Sequence, residues 1–144
     1  LIRLSGSPTG VRAACQKIGG KVLESSDSFW QSLRNHTHPF FTSGKRLWRL
    51  SVKSTLLPIA LEGEQLIEWG GALRWLATDG QENDQTLRQR IGDLNGHATL
   101  FYGDKSNIQA FHPLSPSMLK IHQKLKQQFD PLSIFNHGRM YSEF

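Results

Sequence analysis

The sequence predicts an α+β fold, built on an antiparallel-rich sheet with helices mainly on one face. Strand-like alternation and helix-like apolar stripes follow one another in the order β-α-β-α-β-β-α-β-α. Two strand patterns at the centre have no helix between them, which suits antiparallel pairing. A length of 144 residues suffices for one domain with a genuine core.

Residues 1–5 read as a short strand. Ser7-Pro8 then supplies a capping hydroxyl and a proline at the first helical position. Val11, Ala14, Cys15 and Ile18 make one apolar stripe, Gly19-Gly20 stops it, and K-V-L-E-S reads as a returning strand. Asp27 and its flanking serines open a second helix with Phe29, Trp30 and Leu33, ending near H-T-H-P because Pro39 disfavours helical geometry at His38.

K-R-L-W-R-L-S-V alternates as a strand, with Trp48, Leu50 and Val52 on one side and Leu47, Arg49 and Ser51 on the other. After a loop with Pro58 and Gly63, the run E-Q-L-I-E-W-G-G-A-L-R-W-L-A-T reads as one strand. It puts Ile67, Trp69, Leu73 and Trp75 on one face and Glu68 and Arg74 on the other. Gly70-Gly71 then marks a bulge or close backbone approach, with a hairpin as the less favoured alternative.

Asn83 or Asp84 caps a helix carrying Leu87, Ile91 and Leu94, which Gly96 ends; H-A-T-L-F-Y-G is the last strand. Ser115-Pro116 opens a final helix to about Phe129, with Met118, Ile121 and Leu125 facing inward. The sheet face not covered by helices carries several aromatic residues and is expected to meet a ligand or another domain.

No run approaches the eighteen or so apolar residues of a membrane span. The opening L-I-R-L-S-G-S has no basic stretch leading into an apolar one, and it starts as though inside a strand, as a piece of a longer polypeptide would. Cys15 is the single cysteine, which excludes an intrachain disulfide and a cysteine-based cluster and suits a reducing compartment. The net charge is +5, but the basic residues are scattered, and Lys120, Lys124 and Lys126 read as a solvated helix face.

His36-x-His38 lacks a third ligand nearby, so no metal is expected there. His97 and His112 flank the last strand and have a suitable intrinsic pKa for a general base. No nucleophile elbow, phosphate loop or H-E-x-x-H is present. In L-W-R-L and A-L-R-W, each Arg either stacks on Trp to stabilise a strand or projects a forked donor toward a carboxylate or phosphate.

The sharpest signal is the tail, F-D-P-L-S-I-F-N-H-G-R-M-Y, Phe129 to Tyr141. Phe129, Leu132, Ile134, Phe135, Met140 and Tyr141 read as anchors laid against a surface. Asp130-Pro131 starts a turn, Asn136 tolerates unusual backbone angles, and Gly138 permits close approach. A clamp explains the apolar residues; it leaves the amide, the glycine and Arg139 without a task.

This tail resembles the carboxy-terminal signature of the FAD-linked oxidases, D-P-x-x-(I/L)-(F/L/M)-N-P-G-(R/K), with His137 in place of its second proline. Upstream, L-W-R-L-S, L-I-E-W-G-G-A-L-R-W-L, G-H-A-T-L-F and F-H-P-L resemble the FAD-binding E subunits of bacterial glycolate oxidases. The resemblance runs from about Lys45 to Tyr141 and implies a division into an α+β cap with ferredoxin-like elements over 1–128 and a tail over 129–144 that returns toward the flavin. The amino-terminal FAD-binding domain is then absent from this chain.

By that resemblance Asn136 and Arg139 lie near the flavin, and with Gly138 between them they are the candidate FAD contacts. Arg49, Trp69, Arg74 and Trp75 are candidates for a pocket that takes the small 2-hydroxy acid the resemblance implies, the two arginines as holders of its carboxylate. The implied activity is oxidation of glycolate to glyoxylate in the assembled enzyme, with the fragment inactive alone. The implied partners are a sister FAD subunit and an iron–sulfur subunit, in a cytoplasmic complex open to membrane association. Two other classes remain: a docking domain working through its Trp face, and a nucleic-acid-binding module. H-A-T-L-F-Y-G lacks the basic-glycine pair and aromatic spacing of an RNA-binding sheet.

Overall fold

The computed structural model describes residues 1–79, 83–103 and 109–144. The chain divides into two compact units, Leu1–His38 and Pro39–Phe144.

The first unit contains helices α1 (Pro8–Ile18) and α2 (Asp27–Arg34). Ser7 caps α1 by accepting from Gly10 N at 3.2 Å, and Gly19 ends it at φ 74°, as the sequence signals predict. In α2 the Trp30 indole donates to Ser26 Oγ at 3.1 Å and packs edge-on against Phe29. The expected strands at Leu1–Ser5 and Lys21–Ser25 do not form. Alternation marks a segment that can be buried, but a strand exists only where a second backbone pairs with it. Neither segment finds one in this unit, and Ile2, Val22 and Leu23 stay exposed. Cys15, on the predicted apolar stripe, is only partly buried, and no α1 residue is fully buried.

The second unit is a four-stranded antiparallel sheet: β1 (Arg46–Ser51), β2 (Glu64–Glu68), β3 (Leu73–Thr78) and β4 (His97–Tyr102), in spatial order β2-β3-β1-β4. Helices α3 (Pro39–Thr42), α4 (Asp84–Asp93) and α5 (Pro116–Phe129) accompany it. One face presents Trp48, Leu50, Leu76, Ala98 and Leu100 to Leu87 and Ile91 of α4, forming the main core. The other face carries Leu47, Leu73, Trp75 and Ala77, met by Phe40 and Phe41 of α3. The α+β class with an antiparallel sheet is therefore the observed one. Asn83 caps α4 through Gln85 N at 2.8 Å, and Arg46 pairs with Asp84 at 2.8 Å, tying the start of β1 to the first turn of α4.

The run from Glu64 to Thr78 is a hairpin, not one long strand. Trp69, Gly70 and Gly71 turn the chain with φ of 51°, 60° and 101°. A Cβ on Gly71 would stand 2.6 Å from Ser54 O, so both the backbone angle and the space demand glycine. This hairpin corrects the expected faces. The register pairs Leu66 with Trp75 and Ile67 with Arg74, so Trp75 and Arg74 fall on opposite faces from those predicted by counting through the turn.

The edge of β4 is lined by a strap: Leu100 N donates to Ala110 O at 2.8 Å and Ala98 N to His112 Nδ1 at 3.2 Å. Arg88 on α4 holds this strap by donating to the carbonyls of Gln109 and Phe111, with its guanidinium 5.3 Å from the Trp48 ring centroid. Helix α5 is capped by Ser115 and begins at Pro116, as predicted. Its apolar stripe is not inward: Met118, Ile121 and Leu125 are exposed. The helix packs instead through His122 against Tyr141 and Phe144, and the stripe stays exposed.

Candidate functional site

Two regions gather the predicted site residues. The first is the sheet face opposite α4. Here the register sets Leu66, Trp75, Arg49 and Thr99 in one row across all four strands. Trp75 is flanked edge-on by Phe41 and Phe101, with ring centroids at 5.4 and 5.0 Å, and its indole donates to Glu68 Oε2 at 2.7 Å. Arg49 sits half-buried in this row and makes no hydrogen bond or ion pair among the described residues. A guanidinium partly withdrawn from water without a partner is costly, and a carboxylate would satisfy its fork.

The four residues expected to form one pocket are not brought together. Arg49 and Trp75 are register partners on one face. Arg74 lies on the other face, 2 % exposed, and donates to the carbonyls of Gly71, Leu57 and Leu56. Its donors staple the loop after β1 to the hairpin. Trp69 stands at the hairpin tip, 74 % exposed. The expected Trp-rich face is also redistributed: Trp48 enters the main core, and the opposite face takes its aromatic character from the buried Trp75 with Phe101 and Phe41. Counting residues along single strands missed Thr99 and Phe101; the signal for them lies in the alternation of H-A-T-L-F-Y once its pairing with β1 is known.

The second region is the tail. Asp130 is buried and accepts from Ile134 N at 3.0 Å, Phe135 N at 2.9 Å and Lys126 Nζ at 2.5 Å. The Lys126 ammonium, followed by those two amides, holds its carboxyl at a pKa of about 2. At the far end Tyr141 is buried, and its hydroxyl donates to His112 O at 3.0 Å. Burial raises the Tyr141 pKa and lowers that of His112, whose ring also meets His97 at 5.1 Å.

Between these two pins every residue from 131 to 140 is exposed. Arg139 N donates to Asn136 O at 3.2 Å, which makes Asn136–Arg139 a turn, and the Arg139 guanidinium lies 3.5 Å from Asn136 Oδ1. Asn136 has φ 51° and Gly138 φ 68°, and a Cβ on Gly138 would meet nothing within 4 Å. Thus Asn136, Gly138 and Arg139 are brought together, on an outward surface. Of the apolar residues expected to lie against a surface, only Tyr141 is buried within the chain; Phe129, Leu132, Ile134, Phe135 and Met140 face outward.

Over 142 residues the chain is 44% identical to glycolate oxidase subunit GlcE of Escherichia coli (strain K12), a match taking in 99% of this chain and 39% of that protein. The chain is homologous to part of that subunit. It spans well under half of GlcE's length. The resemblance carried by the tail and the four upstream blocks is borne out, and the match extends it over the first forty residues as well. No family model matches the chain, and no solved structure matches it. Among the described residues, no helix is long and apolar enough to cross a membrane, and no group of three or more His, Cys, Asp or Glu side chains could hold a metal ion.

Proposed function

We propose that this chain is the cap region of an FAD-binding subunit of a glycolate-oxidase-type enzyme, closing over a flavin that another part of the polypeptide carries. The observation that carries the reading is the Asn136–Arg139 turn, held outward on a chain homologous to GlcE. Asn136 offers an amide donor and acceptor, Arg139 a cation for an anionic group, and Gly138 an opening where no side chain stands. These groups fit the polar edge of a flavin, and the exposed apolar side chains beside them fit its flat ring.

When bound, the flavin supplies the hydride acceptor for oxidation of glycolate to glyoxylate. The chain's own residues bind and orient. Arg49 holds the carboxylate of the 2-hydroxy acid through its fork, with the exposed Phe101 as an apolar wall, backed by the buried Trp75, and Thr99 as a neighbouring hydroxyl. On this reading the chain alone turns over no substrate. It works beside a sister FAD subunit and an iron–sulfur subunit in a cytoplasmic complex; with one cysteine, this chain leaves cluster ligation to a partner.

The test is the absorbance spectrum of the full-length polypeptide in its complex. Asn136→Ala and Arg139→Ala lower the bound-flavin band; full flavin content and unchanged affinity in both variants would reject the lid. A second reading, a non-catalytic docking domain, is favoured by the exposed row Met118, Ile121 and Leu125 on α5. It predicts that charge substitutions in that row release the sister subunits while the tail variants leave flavin untouched.

A further inference from the structure

We propose that Asp130 and Lys126 are positioning residues that set the shape of the Asn136–Arg139 turn for its cofactor contact. The inference rests on the flavin-lid reading above and assigns the device that holds the lid's tip.

Residues 131 to 140 are all exposed, so no core of their own fixes their path. A loop in that state samples many conformations, and ordering it on a ligand costs affinity. Here the ordering is done beforehand by polar ties. The Asp130 carboxylate closes on Ile134 N and Phe135 N, and Ser133 N donates to Asp130 O at 3.0 Å. Lys126, one helical turn earlier, spans the clamp by donating to both Asp130 Oδ2 and the Phe135 carbonyl. Phe135 is the residue immediately before Asn136, so loosening the clamp moves the amide directly.

The other end is pinned independently. Tyr141 is seated against His112, and Gly138 N donates to Phe144 O at 3.0 Å. The turn is therefore strung between a buried carboxylate and a buried phenol. A role confined to stability would need no such clamp at Phe135, since the segment buries almost nothing.

The experiment measures flavin dissociation constant and flavin reduction potential in the full-length polypeptide within its complex, for Asn136→Ala, Asp130→Asn, Lys126→Met and the Asp130→Asn/Asn136→Ala pair. Asn136→Ala is expected to weaken flavin binding about tenfold, the scale of one lost hydrogen bond. Asp130→Asn and Lys126→Met are expected to weaken it by a similar factor and shift the potential in the same sense. The double variant should be no worse than either single one, because both act through the same contact. If Asn136→Ala weakens flavin while Asp130→Asn and Lys126→Met leave affinity and potential unchanged, the positioning role is wrong and the lid stands. If none of the variants touches the flavin, both fall. Should Asp130→Asn fail to fold, Lys126→Met alone decides, since among the described residues the Lys126 ammonium is tied only to the clamp.

Discussion

Arg49 and Arg74 stand on neighbouring strands of one sheet and point to opposite faces. Arg49 pairs in register with Trp75, on the face where Phe101 and Phe41 gather, while Arg74 pairs with Leu50 on the side of the main core. One guanidinium donates from all three nitrogens to backbone carbonyls and the other has no partner among the described residues. That contrast separates a staple from a candidate ligand.

Arg74→Ala strands three loop carbonyls and removes a buried charge-assisted network. We expect a loss of about 3 kcal/mol, read by chemical denaturation. A change below about 0.5 kcal/mol would mean that those bonds carry no net weight.

Arg49→Met keeps the apolar stem of the side chain and deletes only the fork. Stability should change by less than about 0.5 kcal/mol. In the full assembly the KM for glycolate should rise about tenfold or more, with flavin content unchanged. A KM that does not move removes Arg49 from the substrate site.

Gly71→Ala forces a Cβ to within 2.6 Å of Ser54 O at a φ of 101°. The hairpin should lose about 2 kcal/mol or more. Gly70→Asn is the control: it has φ 60°, nothing lies within 4 Å of its added Cβ, and asparagine tolerates that region.

His112 must be neutral for Nδ1 to accept from Ala98 N, and burial, then His97 and Arg88, lower its pKa from 6.5. The unfolded chain therefore takes up a proton first, and stability is full above about pH 6.5 and falls on acidification below it. Asp130 acts in a lower window. Its carboxyl titrates near 2 in the fold against 3.8 ordinarily, so its contribution is full above about pH 4 and vanishes as pH falls through 2. Unfolding titrations should show both steps; Asp130→Asn should erase the lower one and leave the upper.

Ile91 is fully buried between α4 and the sheet. Ile91→Ala opens a cavity there and should cost about 3 kcal/mol, measured by thermal or denaturant unfolding.

Local chemistry was legible from the residues alone. Ser7-Pro8, Asn83 and Ser115-Pro116 cap the helices they mark, and the sides of β1 follow its alternation. Those features depend on hydrogen bonds and side-chain directions within a few residues, which the sequence determines. The tail's unusual angles at Asn136 and Gly138 were legible for the same reason. What only the tertiary structure decided is pairing. The turn at Trp69–Gly71 folds one apparent strand onto itself, and the register across it reverses which of Arg74 and Trp75 shares a face with Ile67. Leu1–Ser5 and Lys21–Ser25 show the same limit: alternation alone finds no partner backbone. Likewise the apolar stripe of α5 is written in the sequence, but the packing of His122 against Tyr141 turns it outward. Strand pairing and helix docking are contacts between distant residues, and their geometry exists only once the chain has closed on itself.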